Sequence, residues 1–171
     1  MEPAQRADWI RSLFEQYQGP LVRYAARLTG KLDTARDVVQ EAFIQLCQMD
    51  PSKLDSRPVA WLYTVCRNRA LDGMRKEARM SQLSEAQVDT AEAPAPSPLH
   101  LVERSDATSA VLRALESLPA NLREVVRLKF QDGLSYREIS EVTGLSISNV
   151  GFLIHVGIRK IRETLRRREE R

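Results

Sequence analysis

The sequence predicts an all-α protein of two small helical domains joined by a flexible linker. Three observations carry this expectation. Apolar residues recur at intervals of three and four along most of the chain, and no stretch alternates with period two for long. No Asn-Gly or Asp-Gly pair stands between β-rich runs, so hairpin signals are absent. Between these helical stretches, residues 91–100 (AEAPAPSPLH) hold three prolines among Ala and Ser with no apolar period. That composition suits an extended linker. It places the linker at 79–104, between domains at 1–78 and 105–171.

The first helix is marked by Ile10, Leu13, Phe14, Tyr17, Leu21, Tyr24, Ala25 and Leu28. Gly19-Pro20 interrupts it, and because Pro20 has no N–H to donate, a kink or restart is expected. Thr29-Gly30 closes the element. Asp33 opens a second helix with Ala35, Val38, Val39, Ala42, Phe43 and Leu46 on one stripe. Arg36, Asp37, Gln40, Glu41 and Gln45 occupy its other face. Residues 48–57 have turn composition, and Pro58 suits the first turn of a third helix. That helix reaches Glu77, with Leu62, Val65, Cys66, Ala70 and Met74 expected inward. Trp61 stands beside Leu62 and Val65 and is read as core in preference to a base-stacking surface. Past the linker, one amphipathic helix runs from near Ser105 to Leu115, and Pro119 starts another with Leu122, Val125, Val126 and Phe130 buried.

Residues 135–165 (SYREISEVTGLSISNVGFLIHVGIRKIRETL) then read as helix, tight turn and longer helix. Ser135 and Glu138 have capping-box spacing. Gly144 stands where a left-handed residue is needed, and Ser146 is placed to cap the second helix. The apolar positions Val150, Leu153, Ile154, Ile158, Ile161 and Leu165 keep helical spacing. A helix-turn-helix of this kind can lay its second helix in the DNA major groove; the alternative is a plain helical hairpin in a core. Net charge is only +3, but Arg159–Arg171 holds seven basic residues against three acidic ones. A local basic patch next to a reading helix suits phosphate contacts.

Other classes of function find little support. His100 and His155 have no catalytic partner nearby in sequence, and there is no Gly-rich phosphate loop, GxSxG or metal-ligand cluster. Neither an enzyme nor a metal or cofactor is therefore expected. Cys47 and Cys66 lie among apolar helical residues and are expected to be buried free thiols. With a polar N-terminus and no apolar run of spanning length, a cytoplasmic protein without membrane insertion is expected.

Several segments in order resemble one family. Residues 33–43 (DTARDVVQEAF) resemble region 2.2 of sigma-70-type transcription initiation factors, and residues 58–75 resemble their regions 2.3–2.4. Leu118-Pro119 with Leu122-Arg123-Glu124-Val125 is similar to the start of region 4, and residues 135–150 to region 4.2. Nothing equivalent to region 3 fits between the halves, which is similar to the extracytoplasmic-function (ECF) group. The resemblance implies a protein that binds core RNA polymerase, at the β′ clamp helices and the β flap, and directs it to promoter DNA. It implies core contacts from Asp33, Asp37, Gln40, Glu41 and Phe43. Carboxylates and amides on one helix face suit an Arg-rich partner helix.

For the −10 element the resemblance implies base capture by the 48–57 loop, with Lys53, Asp55 and Ser56, and contacts from Arg67, Asn68, Arg69, Asp72 and Arg75. Arginines can hold phosphates and Asn68 can read a base edge. For the −35 element it implies Ser135, Arg137, Ser146, Ser148, Asn149, Phe152 and His155, with Arg159 and Lys160 on phosphates. Many relatives carry Lys or Arg just after the position of Val150, where this chain has Gly151, Phe152 and Leu153. Gly151 either admits a close approach to the duplex or is merely tolerated. Phe152 either meets a thymine methyl or extends the core. An anti-sigma factor is a further implied partner. A dimeric helix-turn-helix regulator acting without polymerase is the competing reading.

Overall fold

The computed structural model describes residues 2–50, 52, 57–84 and 106–170. Among these residues the regular elements are helices: α1 (Pro3–Thr29), α2 (Leu32–Gln48), α3 (Pro58–Ser84), α4 (Asp106–Glu116), α5 (Ala120–Phe130), α6 (Tyr136–Thr143) and α7 (Ile147–Glu169). They form two compact units, α1–α3 and α4–α7.

In the first unit each helix packs on the other two. Leu21 and Ala25 of α1, Ala35, Ala42 and Leu46 of α2, and Leu62, Tyr63 and Cys66 of α3 are fully buried. The Tyr24 and Tyr63 rings meet at 5.1 Å, tilted by 55°. Each large side chain buried here contributes on the order of 1.5–3 kcal/mol. That sum explains why Pro20 does not break α1, which runs unbroken from Pro3 to Thr29. Pro20 forfeits one backbone bond, yet Leu21, Tyr24, Ala25 and Ala26 directly after it are all buried against α2 and α3. Tertiary packing outweighs the local cost of about 3 kcal/mol.

The inward stripe of α3 ends at Ala70. Met74, expected inward, is exposed, and the helix continues to Ser84, past residue 78 and into the stretch read as linker. At 27 residues α3 is about 40 Å long, against about 25 Å for the 17 residues of α2. From Asp72 to Leu83 its residues are exposed, and Glu77 pairs with Lys31 at 3.3 Å in solvent. Cys47, also expected inside, is exposed.

In the second unit two glycines make the turns. Gly133 and Gly144 sit at φ +73° and +74°, the left-handed region that glycine enters at little cost. Gly144 donates its N–H to the Ser140 carbonyl at 2.9 Å and so ends α6. Ser135 caps α6 reciprocally: its hydroxyl accepts from the Glu138 N–H at 3.2 Å, and the Glu138 carboxylate accepts from the Ser135 N–H at 2.8 Å. Ser146 caps α7 by accepting from the Asn149 N–H at 3.1 Å. Ile139, Val150 and Ile154 are buried between α6, α7 and α5. Phe130, expected in this core, is 62% exposed; Leu128 is buried instead, next to Leu134, whose N–H bonds its carbonyl at 3.0 Å. Gly157 lets α7 approach α5 closely. A Cβ there would lie 2.7 Å from Val126 Cγ2.

Candidate functional site

Three surfaces carry the residues singled out by sequence. The first is a ridge on α2. Asp33, Asp37 and Gln40 recur at four and three residues, so they lie on one face, with Glu41 at its margin. Directly opposite are the buried Ala35, Val38, Val39, Ala42 and Leu46. Asp33 pairs with Arg36 at 3.5 Å, a fully solvated contact of small energetic consequence. Phe43 is not on the ridge. It is buried, and its ring meets Phe14 edge-on at 5.0 Å, so it supports the helix from beneath. Ile44, which sequence reasoning passed over, is 48% exposed on the ridge one turn after Gln40. Its position at i+4 was the available signal.

The second surface is on α3. Asn68, Asp72 and Arg75 share one exposed face, and Asp72 pairs with Arg75 at 3.3 Å. Arg69 turns away from them and bonds Glu41 of the ridge at 2.6 Å. Arg67 lies on the other flank and is half-buried. Trp61, favoured as core, is only half-buried and stands two helical turns before Asn68 on the same face. An indole there is available for stacking. Tyr63 is fully buried and belongs to the core. Lys53, Asp55 and Ser56 lie outside the described residues.

The third surface is on α7. Ser148, Phe152, His155 and Arg159 follow one another at four, three and four residues and are all exposed. They form one stripe, opposite Val150, Ile154 and Gly157, which are buried. Asn149 and Lys160 are exposed on its flank. Phe152 therefore does not extend the core. Arg159 lies 4.0 Å from Glu163, and Arg137 of α6 lies 3.9 Å from Glu141. The Ser135 and Ser146 hydroxyls are engaged as helix caps. Beside Gly151, the Tyr136 ring edge would be 3.4 Å from an added Cβ. The gap is thus lined by an aromatic ring, over which Lys129 Nζ stands 5.2 Å from the centroid.

Among the described residues no single helix is long and apolar enough to cross a membrane.

Comparison with known proteins agrees with these two units. Residues 13–80 match the family Sigma-70 region 2, and residues 108–161 match Sigma-70, region 4. The ECF RNA polymerase sigma factor SigL of Mycobacterium tuberculosis is 32% identical over 164 residues, covering 95% of this chain and 92% of that protein. The ECF RNA polymerase sigma-E factor of Escherichia coli is 30% identical over 163 residues, covering 88% and 84%. Among solved structures, the sigma factor RpoE of Bartonella quintana, in complex with the anti-sigma factor NepR, aligns with a TM-score of 0.67 at 26% identity. That alignment covers 93% of this chain and 97% of the other. With both domains matched in order and relatives aligned over nearly their whole length, the chain belongs to the ECF group of sigma-70 family RNA polymerase sigma factors.

Proposed function

We propose that this sigma factor grips core RNA polymerase through the α2 ridge and reads promoter DNA with α3 and α7, performing no catalysis itself. The carrying observation is the α2 helix, whose polar face of Asp33, Asp37, Gln40 and Glu41 is set on a fully packed apolar stripe. Such a face is rigid and offers carboxylates and an amide to an arginine-rich partner, in keeping with docking on the β′ clamp helices. Asn68, Asp72, Arg75 and the half-exposed Trp61 then face the −10 element. Trp61 offers a stacking surface to an unpaired base, Asn68 a base-edge contact and Arg75 a phosphate contact. Arg69, tied to Glu41, links the docking ridge to this helix. Lys53, Asp55 and Ser56 are assigned to base capture on the resemblance alone. In the second unit α7 enters the major groove at the −35 element, with Ser148, Asn149, Phe152 and His155 toward bases and Arg159 and Lys160 on phosphates. The α4–α7 unit also meets the β flap. The protein works in the cytoplasm, and an anti-sigma factor holds it inactive by covering these faces.

The test is assembly with purified core polymerase. Wild-type protein is expected to co-elute with core and support run-off transcription from a promoter selected out of a randomised library. Gln40→Ala with Glu41→Ala is expected to weaken co-elution at least ten-fold while leaving the helical circular dichroism unchanged. Normal assembly by that folded variant would refute the docking assignment.

A further inference from the structure

We infer that Phe152 makes this sigma factor a reader of the C5 methyl group of a pyrimidine in the −35 element. This rests on the proposal that α7 lies in the major groove. Phe152 is 62% exposed and sits mid-stripe between Ser148 and His155–Arg159, diametrically opposite the buried Val150 and Ile154. Among the described residues no packing calls for a phenyl at that position. The neighbouring position, Gly151, carries no side chain to cover the ring, and the space beside it is lined by Tyr136 at 3.4 Å from an added Cβ. A phenyl group cannot donate or accept a hydrogen bond to a base edge. In the major groove the four base pairs differ in their donors and acceptors, and thymine alone adds an apolar feature, its 5-methyl group. The one apolar side chain on a polar, cationic stripe thus matches the one apolar group in the groove. 5-Methylcytosine presents the same methyl at the same place, so the chemistry recognised is a 5-methylpyrimidine, whether from thymine or from a modified cytosine.

The experiment uses reconstituted holoenzyme and a promoter selected from a randomised library. Each thymine of the selected −35 element is replaced in turn by deoxyuridine, which removes only the methyl. Wild type is compared with Phe152→Ala, a change at an exposed site that leaves folding intact. At one thymine, uracil is expected to weaken the wild type about four-fold, the effect of exposing one buried methyl, and to leave the variant unchanged. At that base pair, replacing thymine by cytosine and then by 5-methylcytosine is expected to recover affinity for the wild type alone. This arm separates the two sources of the methyl. An equal uracil penalty in both proteins overturns the inference, as does the absence of any uracil-sensitive thymine. Identical promoter selection by both proteins would mean that the phenyl faces a protein, and it overturns the inference as well. A selection that shows an upstream element weakened by Arg159→Ala, yet no coupling to Phe152, sinks this inference and spares the groove reading. A selection with no upstream element sinks both.

Discussion

Two glycines on α7 should respond in opposite ways to the same substitution. Replacing a mid-helix glycine by alanine favours the helix by about 1 kcal/mol, because less backbone freedom is lost on folding. At Gly151 nothing opposes that gain: the new methyl would touch Tyr136 Cε2 at 3.4 Å, an ordinary contact. At Gly157 the methyl would lie 2.7 Å from Val126 Cγ2, well inside the 3.5–4.0 Å at which carbon atoms attract. Val126 is 5% exposed and β-branched on a helix, so it has little rotamer freedom with which to retreat. Overpacking of this kind costs about 1–3 kcal/mol. Gly151→Ala is therefore expected to stabilise the second unit by about 1 kcal/mol, and Gly157→Ala to destabilise it by about 0–2 kcal/mol, with a central value near 1. In a domain of this size each kcal/mol moves Tm by about 4–8 °C. Scanning calorimetry of the full chain should show one transition moving up in the first variant and down in the second. Adding Val126→Ala to Gly157→Ala should return part of the loss, since it removes the clashing methyl. If Gly157→Ala raises Tm as far as Gly151→Ala does, the close approach of α7 to α5 is not what the glycine serves.

Three further outcomes are expected. Arg159→Ala with Lys160→Ala should weaken promoter binding almost uniformly across sequences and flatten the slope of log K against log salt by about 1.8, measured by titration at several salt concentrations; a changed base preference would assign these residues to base reading. Burial pushes the Cys66 thiol up to about 12, whereas Cys47 is exposed, so iodoacetamide at pH 8 should alkylate one cysteine in the folded chain and both after denaturation, as counted by mass spectrometry. Above the ordinary thiol value of 9.0 the unfolded chain releases the Cys66 proton while the folded chain keeps it. Stability therefore falls as pH rises from about 9 towards 12, which denaturant titration across that range would measure.

The helical periodicity of α2, the capping box at Ser135 and the left-handed Gly144 were all legible in the chain, because each depends on residues within one or two turns. The misreadings share a cause: they depend on what lies across the interface. Pro20 looks like a breaker until Leu21 is seen packed against two other helices. Met74 keeps the apolar period of α3, yet it lies past Ala70, the last buried position of the helix, and is exposed. Phe130 follows the Leu122–Val126 stripe in sequence and yet faces out, while the turn at Leu134 covers Leu128. At the candidate site, the motif order led to three faces whose side chains are largely exposed. What lies beneath or beside them was not legible: Phe43 is buried edge-on against Phe14, and Arg69 reaches across to Glu41 in a half-exposed pair. Phe152 was the opposite case, an apolar residue whose outward position only the burial of Val150 and Ile154 could fix.

The guanidinium of Arg6 donates to the carbonyls of Leu46 and Cys47, at 3.3 and 3.0 Å, and to that of Met49. Those are the unsatisfied acceptors at the last turn of α2, where the chain departs toward the segment proposed to hold an extruded base. The opening turns of the polypeptide thus clamp the end of α2 some forty positions downstream. On the role proposed for the segment beyond it, trimming the chain past this arginine, or fusing bulk against it, is expected to slacken strand separation before the fold is lost.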